Sequence, residues 1–216
     1  MATTITAGNA TNGLAFSADN AGILELKTGT GSGTTALTLD ASQNATFAGT
    51  VTSPTGALYP LVNGTAVSAS GTSVNFTSIP ATAKRVTIML TGVSTNGTSN
   101  LIVQLGTGAT PTYTTTGYLG ACGYIAASSA AATAMTTGFM FINLGSAVSL
   151  HNGILITSLL TGNTWSFSGN CSRQADTLAC NSAGSIPLAA ALTAVRITTV
   201  NGTDTFDAGT INILYE

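Results

Sequence analysis

The chain has 216 residues, of which 44% are hydrophobic and only 12 are charged, five of them Lys or Arg and seven Asp or Glu. This composition excludes an extended basic surface for nucleic acid, and it lacks the low hydrophobicity and high net charge of a disordered chain. No residue between Arg85 and Arg173 has a formal charge. We therefore expect neither an acid–base enzyme nor a cofactor.

Residues 1–57 contain short apolar pairs separated by Gly, Asn and Ser, and the segments that begin at Leu24 and Leu37 are two versions of one unit. Such a unit is too small to bury its own apolar surface, so it needs copies beside it. We expect a short β-stalk or attachment segment in which three chains meet around an axis, with a flexible tail as the alternative. The expected chain–chain contacts are Leu24, Leu26, Leu37, Leu39 and Phe47.

Residues 58–216 carry a strand signal along most of their length. Apolar residues recur at every second position, which places them on one face of a strand, and strong helix formers are scarce. The Asn-Gly pair at 96–97 predicts a tight hairpin between Val86–Gly92 and Asn100–Gly106. The sequence thus predicts an all-β fold with an antiparallel, jelly-roll-like sandwich. The expected core residues are Val86, Ile88, Leu90, Leu101, Val103, Leu105, Phe141, Ile156, Phe167, Ile197 and Ile213.

Two segments break the strand pattern. Ser53-Pro-Thr-Gly56 interrupts a strand, because Pro and Gly both disfavour regular pairing, and it places the boundary between the N-terminal segment (1–57) and the knob (58–216). The Ala-rich segment Ala126–Met135 is compatible with a short helical turn or with a loop.

His151 stands next to an Asn-Gly pair without partners nearby, which favours a histidine in a surface turn over a metal or catalytic site. Asp204 and Asp207 offer two carboxylates to a cation, but without further ligands a solvated turn is the better interpretation. We therefore expect no metal site.

Three cysteines, Cys122, Cys171 and Cys180, match neither a disulfide framework nor a metal-binding spacing. Cys171 and Cys180 would face each other across a tight turn near Ala175–Asp176. The pair is then either a disulfide or two free, half-buried thiols.

Trp165, together with Tyr113, Tyr118 and Tyr124, could form a platform on which sugars stack. However, Trp165 alternates with Phe167 within a predicted strand, and this spacing favours core packing. Residues 118–160 lack formal charge, but glycines interrupt them repeatedly and no long apolar stretch occurs, so we expect no membrane insertion. The N-terminus has neither a basic nor an apolar region, so we expect no signal peptide.

Residues 36–51, ALTLDASQNATFAGTV, resemble a repeat common in bacteriophage tail-fibre and virion-fibre proteins. Residues 79–106 and residues 206–216, FDAGTINILYE, are similar to segments of many phage structural proteins. The resemblance implies a homotrimer with an N-terminal attachment segment and a C-terminal jelly-roll-like knob. It implies no catalytic residue in this chain.

Two functions are expected from this resemblance. The first is a capsid decoration, cement or head-fibre protein that contacts the major capsid protein or another virion protein through residues 1–57. The alternative is a short tail fibre whose knob binds a host-surface glycan. A glycan-active enzyme is disfavoured because no paired carboxylates are evident. In either case we expect the protein in the virion after synthesis in the host cytoplasm.

Overall fold

The computed structural model describes residues 22–29, 33–49, 51–53, 56–57, 60–143, 145–174 and 177–216. The described residues form nineteen strands and no helix, so the predicted all-β class is confirmed. Consequently, no described helix is long and apolar enough to cross a membrane. The chain divides into two compact units, residues 1–59 and residues 60–216.

The N-terminal unit contains a three-stranded antiparallel sheet with the order β1-β2-β3, and a two-stranded sheet of β4 and β5. Its strands are β1 (Leu24–Thr28), β2 (Thr34–Leu39), β3 (Ala45–Phe47), β4 (Thr52–Ser53) and β5 (Gly56–Ala57).

The larger unit is an antiparallel sandwich whose described residues form a buried apolar cluster. Its strands are β6 (Val62–Asn63), β7 (Val67–Ser68), β8 (Ser73–Phe76), β9 (Arg85–Thr95), β10 (Leu101–Thr107), β11 (Thr112–Tyr113), β12 (Leu119–Ala126), β13 (Ser129–Ala134), β14 (Phe139–Ile142), β15 (His151–Thr161), β16 (Thr164–Arg173), β17 (Leu178–Pro187), β18 (Leu192–Thr199) and β19 (Phe206–Tyr215).

One sheet has nine strands in the order β13-β12-β17-β16-β15-β9-β19-β6, with β7 also paired to β19. The other has five strands in the order β11-β10-β18-β8, with β14 also paired to β10. The apolar cluster draws residues from both sheets, so their inner faces share one core. The jelly-roll-like description of this order stays a prediction.

Ten of the eleven expected core residues are buried, and Ile156 is the exception with 39% of its surface exposed. Its neighbour Leu155 is fully buried instead. Ile154, Ile156 and the buried Leu155 all belong to β15, where successive side chains point to opposite faces. Both faces of β15 carry large aliphatic residues, so the alternation of apolar residues in the sequence does not show which face is buried. The prediction chose the face of Ile156, whereas the buried face is that of Leu155.

The predicted hairpin between β9 and β10 is wrong. Both strands form, but β9 pairs with β15 and β19 in the larger sheet, whereas β10 pairs with β11, β14 and β18 in the smaller one. The segment between them is therefore a crossover between sheets. The connection from β18 to β19 is a second crossover between the same sheets.

Hydrogen bonds join these two crossovers. The Ser99 N–H donates to Asp204 Oδ2 over 2.9 Å, and the Thr205 N–H donates to Asn96 Oδ1 over 2.9 Å. The Asn96 N–H donates in turn to the Thr205 carbonyl over 2.9 Å. The Asn-Gly pair at 96–97 therefore belongs to a loop fixed by long-range partners, which no local turn rule anticipates.

The Ala-rich segment is neither a helical turn nor a loop. Leu119–Ala126 and Ser129–Ala134 pair as an antiparallel hairpin, in register from Ala121 opposite Ala134 to Ala126 opposite Ser129. All six side chains of β13 are exposed, so tertiary pairing has overridden the helix propensity of alanine.

Candidate functional site

The five expected contact residues lie together on one face of the β1-β2-β3 sheet. Leu24 is the cross-strand partner of Leu39, and Leu26 is the partner of Leu37. Leu37 is also opposite Phe47 on β3. Because directly opposite residues in an antiparallel sheet share a face, all five form one apolar patch, which we call the leucine face.

The leucine face is incompletely covered. Leu26 exposes 46% of its surface and Phe47 exposes 52%, while Leu24, Leu37 and Leu39 are partly buried. A domain normally buries an apolar sheet face against a second layer. Among the residues that the structure describes, this sheet has no complete second layer over its leucine face.

The opposite face of the same sheet is polar. Lys27 Nζ lies 3.1 Å from Glu25 Oε2, and the Thr35 hydroxyl donates to Glu25 Oε1 over 3.2 Å. Thr38, opposite both Glu25 and Thr46, continues this face. The sheet is therefore amphipathic, and only the leucine face offers a surface that gains free energy by leaving water.

A tight turn fixes the register of β2 against β3. The Ser42 and Asn44 N–H groups each donate to Asp40 Oδ1 over 2.9 Å, and Asn44 Nδ2 donates to Asp40 Oδ2 over the same distance. These donors, chiefly those of Asn44, hold the pKa of Asp40 below its usual value of 3.8. Gln43 takes the positive φ of 67° that closes the turn.

His151 is not in a surface turn, as predicted, but at the start of strand β15 with only 1% of its surface exposed. Its Nδ1 lies 2.8 Å from the Val93 carbonyl oxygen. The following Asn-Gly pair also belongs to the strand. Gly153 is required for packing, because a Cβ there would lie 2.2 Å from Cys171 Sγ.

Cys171 and Cys180 are direct cross-strand partners on β16 and β17, so the prediction that they face each other is confirmed. Both are free thiols, as is Cys122, and all three are buried rather than half-buried. The neighbouring Cys180 thiol, together with burial, raises the pKa of Cys122, whereas the proximity of Cys122 lowers the pKa of Cys180. With 2% of its surface exposed, Cys180 has little contact with solvent, so the thiols are packing groups.

Trp165 is 2% exposed and packs in the core, as the spacing indicated, which excludes the sugar-stacking platform. Tyr118 is buried as well, and its hydroxyl accepts from the Leu105 N–H over 2.9 Å and donates to the Thr114 carbonyl over 3.1 Å. Burial raises the pKa of Tyr118 to about 12.

Asp204 and Asp207 do not converge on a cation. Asp204 accepts from Ser99 and from Asn201 Nδ2, whereas Asp207 accepts a short hydrogen bond from Ser94 Oγ. Within the described residues, no group of three or more His, Cys, Asp or Glu side chains is arranged to hold a metal. Asp204 instead accepts the Ser99 N–H hydrogen bond that links the β18–β19 connection to the β9–β10 connection.

Sequence reasoning missed a polar constellation on the outer face of the five-stranded sheet. Arg196 Nε donates to Gln104 Oε1 over 2.9 Å, and the Arg196 guanidinium carbon lies 4.3 Å from the centre of the Tyr113 ring. Gln104 Nε2 donates to the Thr137 carbonyl over 2.7 Å. The available signal was Arg196 between Val195 and Ile197, a single cation within an otherwise uncharged strand.

The chain matches no protein-family model, and no curated protein is significantly similar to it.

Proposed function

We propose that this protein is a structural component of a bacteriophage particle that assembles as a homotrimer through residues 1–57 and decorates or stabilises the capsid, as a cement or head-fibre protein. The leucine face is the single observation that carries the self-association, and the assignment to a phage particle follows from the resemblance of residues 36–51, 79–106 and 206–216. A second and a third copy of the sheet supply the missing layer, because each offers the same apolar side chains.

The charge distribution supports self-association at this face. The ion pair of Glu25 and Lys27 lies on the opposite side of the sheet, so burying the leucine face requires no desolvation of a charge. Exposed Leu26 and Phe47 are also the kind of aliphatic and aromatic side chains that stabilise protein interfaces.

The second candidate function is a short tail fibre whose knob binds a host-surface glycan. One observation favours it, namely the hydroxyl-lined cavity beside Arg196 on the outer face of the five-stranded sheet. The two candidate functions place the protein at different locations on the particle, which its copy number per virion distinguishes. Several hundred copies indicate the capsid, and a few to tens of copies indicate the tail.

The substitution Phe47→Asp tests the self-association directly. We expect light scattering to return a trimer for the unmodified chain and a monomer for F47D, because association would bury an unpaired carboxylate. Phe47 is more than half exposed in the single chain, so we expect the substitution to leave the fold intact.

The matched control is Thr46→Asp. Thr46 is the exposed neighbour of Phe47 on β3 and lies on the polar face, so T46D should remain a trimer. A trimer of F47D, or a monomer of the unmodified chain, would show that the leucine face does not drive assembly.

A further inference from the structure

We propose that the cavity beside Arg196 binds a sugar that carries an anionic group, with the Arg196 guanidinium holding the anion. The inference rests on the second candidate function, glycan binding by the knob, and adds the class of ligand and the residue that selects it. It does not depend on the trimer.

The guanidinium of Arg196 is held in place before any ligand arrives. Its Nε and Nη2 both donate to Gln104 Oε1, and its plane lies over the ring of Tyr113. Gln104 is itself only 5% exposed and is anchored to Thr137. Tyr113 can approach the sheet because Gly106 lies beneath it, where a Cβ would come within 3.0 Å of the ring.

These contacts leave part of the guanidinium available. Arginine has five N–H donors in a rigid fork, and Gln104 occupies two of them. Within the described residues, the carboxylates that form salt bridges do so with Lys27 and Arg85. None of the described carboxylates lines the cavity or forms a salt bridge with Arg196, although Asp204 accepts a hydrogen bond from the lining residue Asn201.

The cavity has a volume of about 280 Å³. That is just below the range of roughly 300 to 1,000 Å³ found for drug-sized ligands, so the cavity suits a smaller group. Its lining is rich in hydroxyl and amide groups, which match the alternating donors and acceptors of a sugar. The lining includes Thr72, Gln104, Thr115, Thr137, Arg196 and Asn201.

The test uses the full chain and three sugars that share one ring, glucose, glucuronate and glucose 6-phosphate, with binding measured by saturation-transfer NMR. We expect glucuronate or glucose 6-phosphate to bind and glucose to give little signal. Binding of the carboxylate alone would point to acidic sugars, and binding of the phosphate alone to phosphorylated glycans; both support the proposal. Binding should weaken with added salt, because the contact is ionic.

The variant Arg196→Gln should reduce the affinity for the anionic sugar about ten-fold or more, as expected for loss of a charge-assisted hydrogen bond. Lys84→Gln removes the same charge from an exposed site outside the cavity and should bind normally. Because R196Q also loses packing on Tyr113, a second variant, Thr72→Glu, places a competing carboxylate on the exposed rim. It should block binding while leaving the contacts of Arg196 in place.

Several results would overturn the proposal, and they separate it from glycan binding in general. If glucose and glucuronate bind equally well and R196Q does not change their binding, the cavity binds sugars without recognising an anionic group. If inorganic phosphate at equal concentration displaces both anionic sugars, the cavity recognises an anion and not the sugar ring. Absence of binding by all three sugars would contradict both the inference and the second candidate function.

Discussion

Position 153 needs a glycine because neighbouring atoms leave no room for a side chain, not because its backbone adopts a conformation that only glycine allows. Gly153 lies near the start of β15, opposite Cys171 on β16, where a Cβ would come within 2.5 Å of the Asn170 carbonyl oxygen and within 2.2 Å of the Cys171 sulfur. In the sequence, an Asn-Gly pair is typical of a turn, and the neighbour that requires glycine is about twenty residues away. His151, two positions earlier, was misplaced for the same reason.

We expect Gly153→Ala to destabilise the protein by about 1–3 kcal/mol, because the added methyl overpacks the core. Guanidinium unfolding followed by the fluorescence of Trp165, the chain's one tryptophan, measures the change. Gly123→Ala is the matched control, since it lies in the same sheet but its Cβ would meet nothing closer than 3.6 Å. A G153A variant as stable as G123A would contradict the packing explanation.

At the scale of strands, alternation located the elements but could not assign them to sheets. The inward sets Val86, Ile88, Leu90 and Leu101, Val103, Leu105 were predicted correctly, because the opposite faces include polar residues, Thr87 on β9 and Gln104 on β10. β15 was misassigned because Leu155 and Ile156 are equally suited to a core. The partner of each strand is decided by distant contacts such as Asp204 with Ser99, which a local pattern does not contain.

The leucine face and the Arg196 cavity differ in how much of each can be predicted from the sequence. The five residues of the leucine face were expected as chain–chain contacts because they recur within short segments. The structure places them on one face of the sheet, and their role in contacts between chains stays a prediction. The Arg196 cavity was not predicted, because Gln104, Tyr113 and Arg196 come from three strands and meet only after the sheet has formed.

The turn between β2 and β3 makes a pH-dependent contribution to its sheet. The pKa of Asp40 is lower in the folded turn than in the unfolded chain, so the contribution is complete above the unfolded value and is lost as the pH falls through the folded one. We expect a carbon-13 NMR titration of the Asp40 carboxyl to give a midpoint below 3.8.

The control for this titration is Asn44→Ala, which removes the side-chain donor to Asp40 Oδ2. It should move the midpoint back toward the ordinary value. A midpoint for Asp40 at or above 3.8 in the unmodified chain would mean that the turn does not hold the carboxylate.

At the scale of the whole molecule, every member of the buried apolar cluster comes from residue 69 or later. The larger unit thus has its own core, and we expect the fragment of residues 60–216 to unfold cooperatively on its own. Because it lacks the leucine face, light scattering should find it monomeric. A trimeric fragment would move the assembly surface into the sandwich, and a fragment that fails to fold would show that residues 1–59 are needed for its core.

The position of β19 has a consequence for how the sandwich is made. Residues 206–215 lie inside the nine-stranded sheet, between β9 and β6, and pair along most of the length of β9. β9 begins at Arg85, so more than a hundred residues must be synthesised before its second neighbour exists. Until then β9 presents an open edge without a charged side chain beyond Arg85, the kind of edge that pairs with other chains. Contacts so distant in sequence also slow folding, so the nascent chain passes through a period in which a strand that is interior in the finished sheet has an unpaired edge.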